Sequence, residues 1–142
     1  MAGFFAGAAL AFALSKGQPL RRRIIETIGG AVGGFLAAHL PDLAEPADSP
    51  NHRGFFHGLL FNVLLIVFFA CMLSLGQSKL RAKADHHADL ACEARTPGPK
   101  LRHWSAEFFF RFLAGAAAGA WVGYGSHVAL DAFTPRSLPL IA

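Results

Sequence analysis

The sequence predicts an all-α fold, specifically a small integral membrane helical bundle of about four helices with a functional site at one membrane face. Hydrophobic residues make up 54% of the 142-residue chain and charged residues only 15%, whereas soluble domains contain about 25% charged residues. Long apolar segments alternate with short polar ones, and the length fits a single domain, residues 1–142. The low charged fraction disfavours a soluble basic nucleic-acid binder, so nucleic acid is not an expected partner. The net charge of +4 is compatible with phosphate binding, but the position of the charges matters more than their sum.

Four apolar segments predict the helices in chain order. Residues 2–15 are too short to span a bilayer comfortably, and no basic residue precedes them as in a signal peptide; whether they span is left open. Residues 24–40 are rich in glycine, residues 54–76 carry no formal charge, and residues 106–132 begin with Glu107 and Arg111 at i,i+4 spacing. These last three segments are expected to span the membrane. Residues 77–105 are predicted to form a basic polar loop.

The basic residues predict the orientation of the bundle. Ten of the 13 lysines and arginines lie within residues 16–23 and 77–105, whereas the 41–53 segment and the C-terminal tail hold only Arg53 and Arg136. Because cytoplasmic loops carry the excess of Lys and Arg, both basic segments are predicted to be cytoplasmic. The 41–53 segment and the tail then share the opposite, non-cytoplasmic face.

Glycines recur at every fourth position in two of the predicted helices. The pairs are Gly29 with Gly33 and Gly30 with Gly34, and the triplet is Gly115, Gly119 and Gly123. This spacing places small residues on one helix face and lets helix backbones approach closely. The alternative is ordinary membrane-helix composition. The pattern favours bundled helices, within the chain or between copies in an oligomer.

The first segment with chemically useful side chains, residues 39–57, surrounds the turn between the second and third helices. It contains three imidazoles and three carboxylates: His39, Asp42, Glu45, Asp48, His52 and His57. These groups are the ligand set of zinc and other borderline divalent ions. A turn at the helix start can bring the rings of His52 and His57 inward together. The alternative is a solvated interfacial loop whose polar residues only end two helices.

The second such segment, residues 124–135, closes the last predicted helix. His127 and Asp131 share a helix face at i,i+4, where they can bind one ion, or Asp131 can orient His127 by a hydrogen bond. The alternative is that the side chains of His127 and Asp131 are only exposed to water at the end of the helix. Since the topology places both segments on one face, they are expected to form one divalent-metal site, and three imidazoles favour zinc. A third cluster, residues 86–93, is interpreted as a solvated linker.

The motifs at residues 40–42 (LPD), 52–60 (HRGFFHGLL) and 123–141 (GYGSHVALDAFTPRSLPLI) resemble the YdjM-like family of inner-membrane, predicted metal-dependent hydrolases. That family is grouped with zinc-dependent phospholipases C and related nucleases. The resemblance implies a location in the bacterial inner membrane. It also implies a set of candidate metal ligands: Asp42, His52, His57, His127 and Asp131.

The chain departs from the family pattern at several positions. Ala44 replaces the second aspartate of the first motif, Gly58 replaces a serine, and Ser137 replaces a glycine. The family's early histidine has no counterpart, because no histidine precedes His39. One ligand is therefore expected to be missing, with His39 or Glu45 as its candidate substitute.

Together these features predict a membrane-bound metal-dependent hydrolase that acts on a phosphoester or lipid-like substrate at the membrane surface. Asp42 or Glu45 would serve as general base, and membrane lipid is an expected partner. The alternative is a non-catalytic membrane protein that keeps the metal site for structure or for binding a partner, which the departures at Ala44 and at the early histidine favour. A metal-handling or transport component is a third hypothesis, although the predicted spans contain few polar residues for a pore.

Overall fold

The structure, a computed structural model, describes residues 1–44 and 59–132. This part of the chain is helical apart from short connections and contains no strand, which confirms the all-α class. The described residues form four long helices and one single-turn helix, α3. In chain order they are α1 (Ala2–Leu14), α2 (Leu20–Ala38), α3 (Leu40–Ala44), α4 (Leu59–Glu93) and α5 (Pro97–Ala132).

A tight turn reverses the chain between α1 and α2. The Ser15 hydroxyl is buried and donates a hydrogen bond to the Phe12 carbonyl oxygen at 3.0 Å. Gly17 has a φ of +89°, a left-handed conformation that favours glycine. Pro19 precedes the first turn of α2, where the fixed φ of proline suits a helix start. The turn thereby packs α1 along α2.

Residues 77–105, predicted as a polar loop, are mostly helical, and this prediction is wrong. α4 continues to Glu93 and α5 already begins at Pro97. Residues 77–93 contain no glycine or proline and are rich in alanine, leucine and lysine, all of which have high helix propensity. Proline is accepted at the first position of a helix, where no backbone donor is needed. The charged residues of this segment therefore do not indicate a loop, because the segment continues α4 as a helix.

Glycine contacts hold α1, α2 and α5 together, as the glycine spacing predicts for α2 and α5. A Cβ atom on Gly119 would lie 2.8 Å from the Cα of Gly30, and one on Gly123 would lie 2.6 Å from the Cα of Gly34. The backbones therefore meet directly, and no side chain larger than hydrogen fits between them. Gly30 and Gly34 also meet α1, where Gly7 and Gly3 form a further pair that the glycine spacing within α2 and α5 does not reveal.

The side chains are distributed in the reverse of the usual soluble pattern. The buried apolar residues are mostly alanines, and the largest fully buried side chains are those of Arg111, Glu26 and Ser15. Large apolar side chains lie outside instead, among them Phe5, Leu36, Leu64, Val67 and Leu75, each more than half exposed. Exposed apolar surface of this extent marks a face that meets lipid or another protein.

A network of buried charges joins the helices at one end of the bundle. Arg111 is completely buried, and its guanidinium donates to Asp85 at 2.6 Å, to Gln18 at 2.8 Å and to Glu107 at 3.1 Å. Of these contacts, only the local Glu107–Arg111 pair was expected from the sequence. We call this group the basic-end network; its members are Gln18, Arg22, Glu26, Arg81, Asp85, Glu107 and Arg111.

Glu26 is the second fully buried charge of the basic-end network. Arg81 of α4 donates to both of its carboxylate oxygens, at 3.1 Å and 2.5 Å, and Gln18 donates to it at 3.1 Å. The Arg111 guanidinium lies 3.7 Å away. Because buried charges are tolerated only when they are paired and hydrogen-bonded, these contacts fix the positions of α2, α4 and α5 relative to each other.

Across residues 1–44 and 59–132, no helix combines the length and the apolar character that a membrane crossing requires.

Candidate metal centre

The structure brings part of the predicted metal site together at the end of the bundle opposite the basic-end network. Asp42 lies in α3, directly after α2 ends, and His127 lies in the penultimate turn of α5. The Nε2 atom of His127 is buried and lies 3.4 Å from Oδ1 of Asp42. These residues are 85 positions apart in the sequence, and both were predicted as ligands of one ion.

The packing of α2 against α5 explains why Asp42 and His127 meet. Ala37, Tyr124 and Val128 are buried together next to the site, with Ala120 against them. This cluster and the glycine contacts fix the register of the two helices. As a result, the end of α2 and the last turns of α5 lie at the same height along the bundle axis.

A small polar cavity of about 110 Å³ lies around the Asp42–His127 pair. Its walls come from the start of α1, the end of α2, α3 and the end of α5; its polar side chains are those of His39, Asp42, Ser126 and His127. The Asp42 side chain is 55% exposed and the His127 side chain 16%. Asp42 is therefore open to solvent, whereas His127 is held inside the bundle.

His39 is oriented so that one ring nitrogen remains available. Its Nδ1 donates to the Phe35 carbonyl oxygen at 2.7 Å, which places the proton on Nδ1 and leaves the lone pair on Nε2 in the neutral ring. A backbone carbonyl that fixes a histidine tautomer is a common arrangement behind metal-binding imidazoles. His39 was considered from the sequence only as a substitute ligand, and the structure places it on the cavity wall.

The other predicted site residues are only partly described. Asp131 lies in the last turn of α5, one turn beyond His127. Glu45, His52 and His57 lie outside the described residues. Among the residues that are described, no three His, Cys, Asp or Glu side chains are close enough to hold a metal ion. The described part of the site therefore contributes the Asp42–His127 pair and the adjacent His39.

The third cluster, residues 86–93, which was interpreted from the sequence as a solvated linker, lies at the end of α4, and His103 of α5 lies next to it. Nδ1 of His87 is 3.1 Å from Nδ1 of His103, and the His87 ring stacks on Phe110. Partial burial lowers the pKa of His103, and the neighbouring charges of Arg102, His87 and His86 lower it further. This pair links the two helices near the α4–α5 connection, away from the polar cavity.

No curated protein and no solved structure matches the sequence. A family model described as "YdjM inner membrane protein" matches residues 4–142. The match includes all but the first two residues of α1 and both members of the Asp42–His127 pair. The chain belongs to the YdjM inner membrane protein family.

Proposed function

We propose that the protein is a membrane-bound, metal-dependent hydrolase that acts on a phosphoester or lipid-like substrate at the membrane surface. The observation that carries this proposal is the Asp42–His127 pair, 3.4 Å apart in a polar cavity at the end of a bundle with an apolar exterior. Ionisable residues that face each other at the membrane end of a helical bundle are candidates for a functional site.

Several features support a multi-pass arrangement with the basic-end network in the cytoplasm. The family is described as an inner membrane protein, and the large apolar side chains lie outside the bundle. Along α5, Arg111 and His127 are separated by about 24 Å at 1.5 Å per residue, somewhat less than the hydrocarbon core of about 30 Å. Polar groups at both ends with an apolar surface between them suit insertion across the bilayer. The arginines of residues 21–23 favour a cytoplasmic basic end.

This arrangement predicts opposite sidedness for Ser49 and Ser78. In a background with Cys71→Ser and Cys92→Ser, we expect an impermeant thiol reagent to label Ser49→Cys in intact cells. It should label Ser78→Cys only after the membrane is permeabilised. Labelling of both positions from the same side would contradict the proposed topology.

The donor set fits a borderline divalent ion, with zinc preferred. Imidazole nitrogens come from His127 and, in the proposal, from His52 and His57; carboxylate oxygens come from Asp42 and Asp131. When bound, such an ion acidifies a water molecule and polarises a phosphoryl or ester oxygen. The half-exposed carboxylate of Asp42, or that of Glu45, accepts the proton of the attacking water if it is not itself a ligand. Arg53 supplies a positive charge for a phosphate group.

Hydrolysis by the zinc-loaded protein should depend on the Asp42–His127 pair. We expect His127→Ala and Asp42→Asn each to lower phosphodiester or phospholipid turnover by more than about 100-fold, since even the outer-shell partners of metal ligands contribute 10–100-fold. His86→Ala, an exposed imidazole outside the cavity, is the matched control and should leave turnover unchanged. If His127→Ala and Asp42→Asn both keep the turnover of the His86→Ala control, the proposal is contradicted.

The second candidate function is a non-catalytic membrane protein that binds the metal for structure or for a partner. Ala44 favours it, because a methyl group neither ligates nor accepts a proton where the family pattern has an aspartate. Ala44→Asp separates the two functions. An increase in turnover with Ala44→Asp indicates a weakened hydrolase site, whereas an increase in bound metal without turnover supports the non-catalytic protein. No change in either, together with loss of binding in Glu45→Ala, identifies Glu45 as the replacement ligand.

A further inference from the structure

Two apolar cavities lie side by side along the bundle and share the side chains of Leu73 and Trp121. One has a volume of about 210 Å³ and reaches Leu40 and Tyr124. The other has a volume of about 270 Å³ and reaches Leu14 and Gln77. Both lie where α4 faces the other helices. We call the two cavities together the lateral groove.

One end of the lateral groove adjoins the polar cavity of the candidate metal centre. Leu40 lines the groove, and its chain neighbour His39 lines the polar cavity. On α5, Tyr124 lines the groove three residues before His127. A ligand with a polar head and a long apolar tail would therefore place each part in a matching environment.

The walls of the groove suit a hydrocarbon chain. The lining is aliphatic and aromatic, and its amide side chain, that of Gln77, already donates to the Ala114 carbonyl oxygen at 3.1 Å. Hydrocarbon can therefore fill the groove without removing the hydrogen bond of this amide nitrogen. Beside the groove on α4, Val67, Phe68 and Leu75 are more than half exposed, so its surroundings are apolar as well.

The length of the groove matches most of an ordinary acyl chain. Its far end is near Glu26, because Arg81 bonds both the Glu26 carboxylate and the Leu14 carbonyl oxygen. From Glu26 to Ala37, the α2 residue that lines the groove, the helix rises by about 16 Å at 1.5 Å per residue. An extended acyl chain advances by about 1.3 Å per methylene from standard bond lengths. The groove therefore accommodates roughly 12 carbons.

We propose that the lateral groove holds one acyl chain of a glycerophospholipid whose headgroup lies in the polar cavity. This inference rests on the proposed function and specifies its substrate class: a membrane phospholipid bound by both its headgroup and one tail, with the ester or phosphoester bond next to Asp42 and His127. A soluble phosphodiester would use only the polar end of the site.

The test is photocrosslinking in reconstituted vesicles. The protein is placed in phosphatidylcholine vesicles that contain phosphatidylglycerol with a diazirine in the middle of one acyl chain, and the crosslinked residues are mapped by mass spectrometry. We expect crosslinks at Trp121 and Leu73. Ala117→Leu, which fills the groove from α5, should reduce these crosslinks at least tenfold. Ala9→Leu, on the exposed surface of α1, should not.

Leu73→Trp fills the groove from α4 and provides a second variant should Ala117→Leu fail to fold; it should also reduce crosslinking to Trp121 at least tenfold. Crosslinks spread over the outer surface and insensitive to both filling variants would overturn the inference. Turnover is measured on the same samples. Groove crosslinks without hydrolysis contradict the proposed function and leave the lipid site standing, whereas hydrolysis that is unaffected by groove filling contradicts the lipid site alone.

Discussion

Replacing Arg111 by methionine is expected to lower the free energy of unfolding by about 3–5 kcal/mol, because removing one partner of a buried ion pair leaves an uncompensated charge. The side chain is completely buried and pairs with Glu107 at 3.1 Å and with Asp85 at 2.6 Å. Glu26, also fully buried, lies 3.7 Å away. Methionine fills most of the volume but offers no charge to the buried carboxylates of Glu107 and Glu26. Unfolding of the detergent-purified protein by denaturant measures the effect.

Arg102→Met is the matched control on the same helix. Arg102 is exposed, and surface substitutions usually change stability by less than about 0.5 kcal/mol. The double variant Arg111→Met with Glu107→Gln should cost less than the sum of its single changes, since it removes both members of one pair. A loss below about 1 kcal/mol for Arg111→Met would show that water enters the basic-end network.

The second large effect is expected at the contact between α2 and α5. Gly119→Ala should destabilise the bundle by about 1–3 kcal/mol, the usual range for overpacking. The added methyl group would lie 2.8 Å from the Cα of Gly30, and backbone atoms cannot rotate away as a side chain can. Thermal unfolding in detergent measures the change.

Gly125→Ala, on the same helix, is expected to have the opposite sign. Nothing lies within 4 Å of a Cβ atom at Gly125. Alanine at a helix interior position is favoured over glycine by roughly 0.5–1 kcal/mol, so this variant should be slightly more stable. Equal effects of the two substitutions would contradict the close approach of α2 and α5.

The periodic features of this chain were predictable from its sequence. Apolar segments located the helices, and the four-residue glycine spacing identified the faces on which α2 and α5 meet, because a helical period repeats in the sequence itself. The helical extension through residues 77–93 was missed because its charges were weighed above its helix propensity. Gly3 and Gly7 form a single pair within a short apolar segment. One pair is a weaker indication of helix packing than the repeated glycine spacing of α2 and α5.

The charge contacts were not predictable, since they depend on how helices distant in sequence are placed. Glu107 and Arg111 have a visible i,i+4 spacing, but the partners of Arg111 at Gln18 and Asp85 are 93 and 26 residues away. At the opposite end, the motifs identified Asp42 and His127 because chemically distinctive residues stand at helix ends. His39 was harder to assign, since its role depends on the Phe35 carbonyl oxygen that orients its ring.

We expect the Asp42–His127 end of the bundle to bind a divalent ion. The metal content of detergent-purified protein, loaded with zinc, dialysed and analysed by mass spectrometry, tests this most directly. We expect bound zinc in the unmodified protein and in His86→Ala, with strong loss in His127→Ala and in His52→Ala. Full zinc occupancy in His127→Ala, or equal loss in His86→Ala, would contradict a metal centre at this end of the bundle.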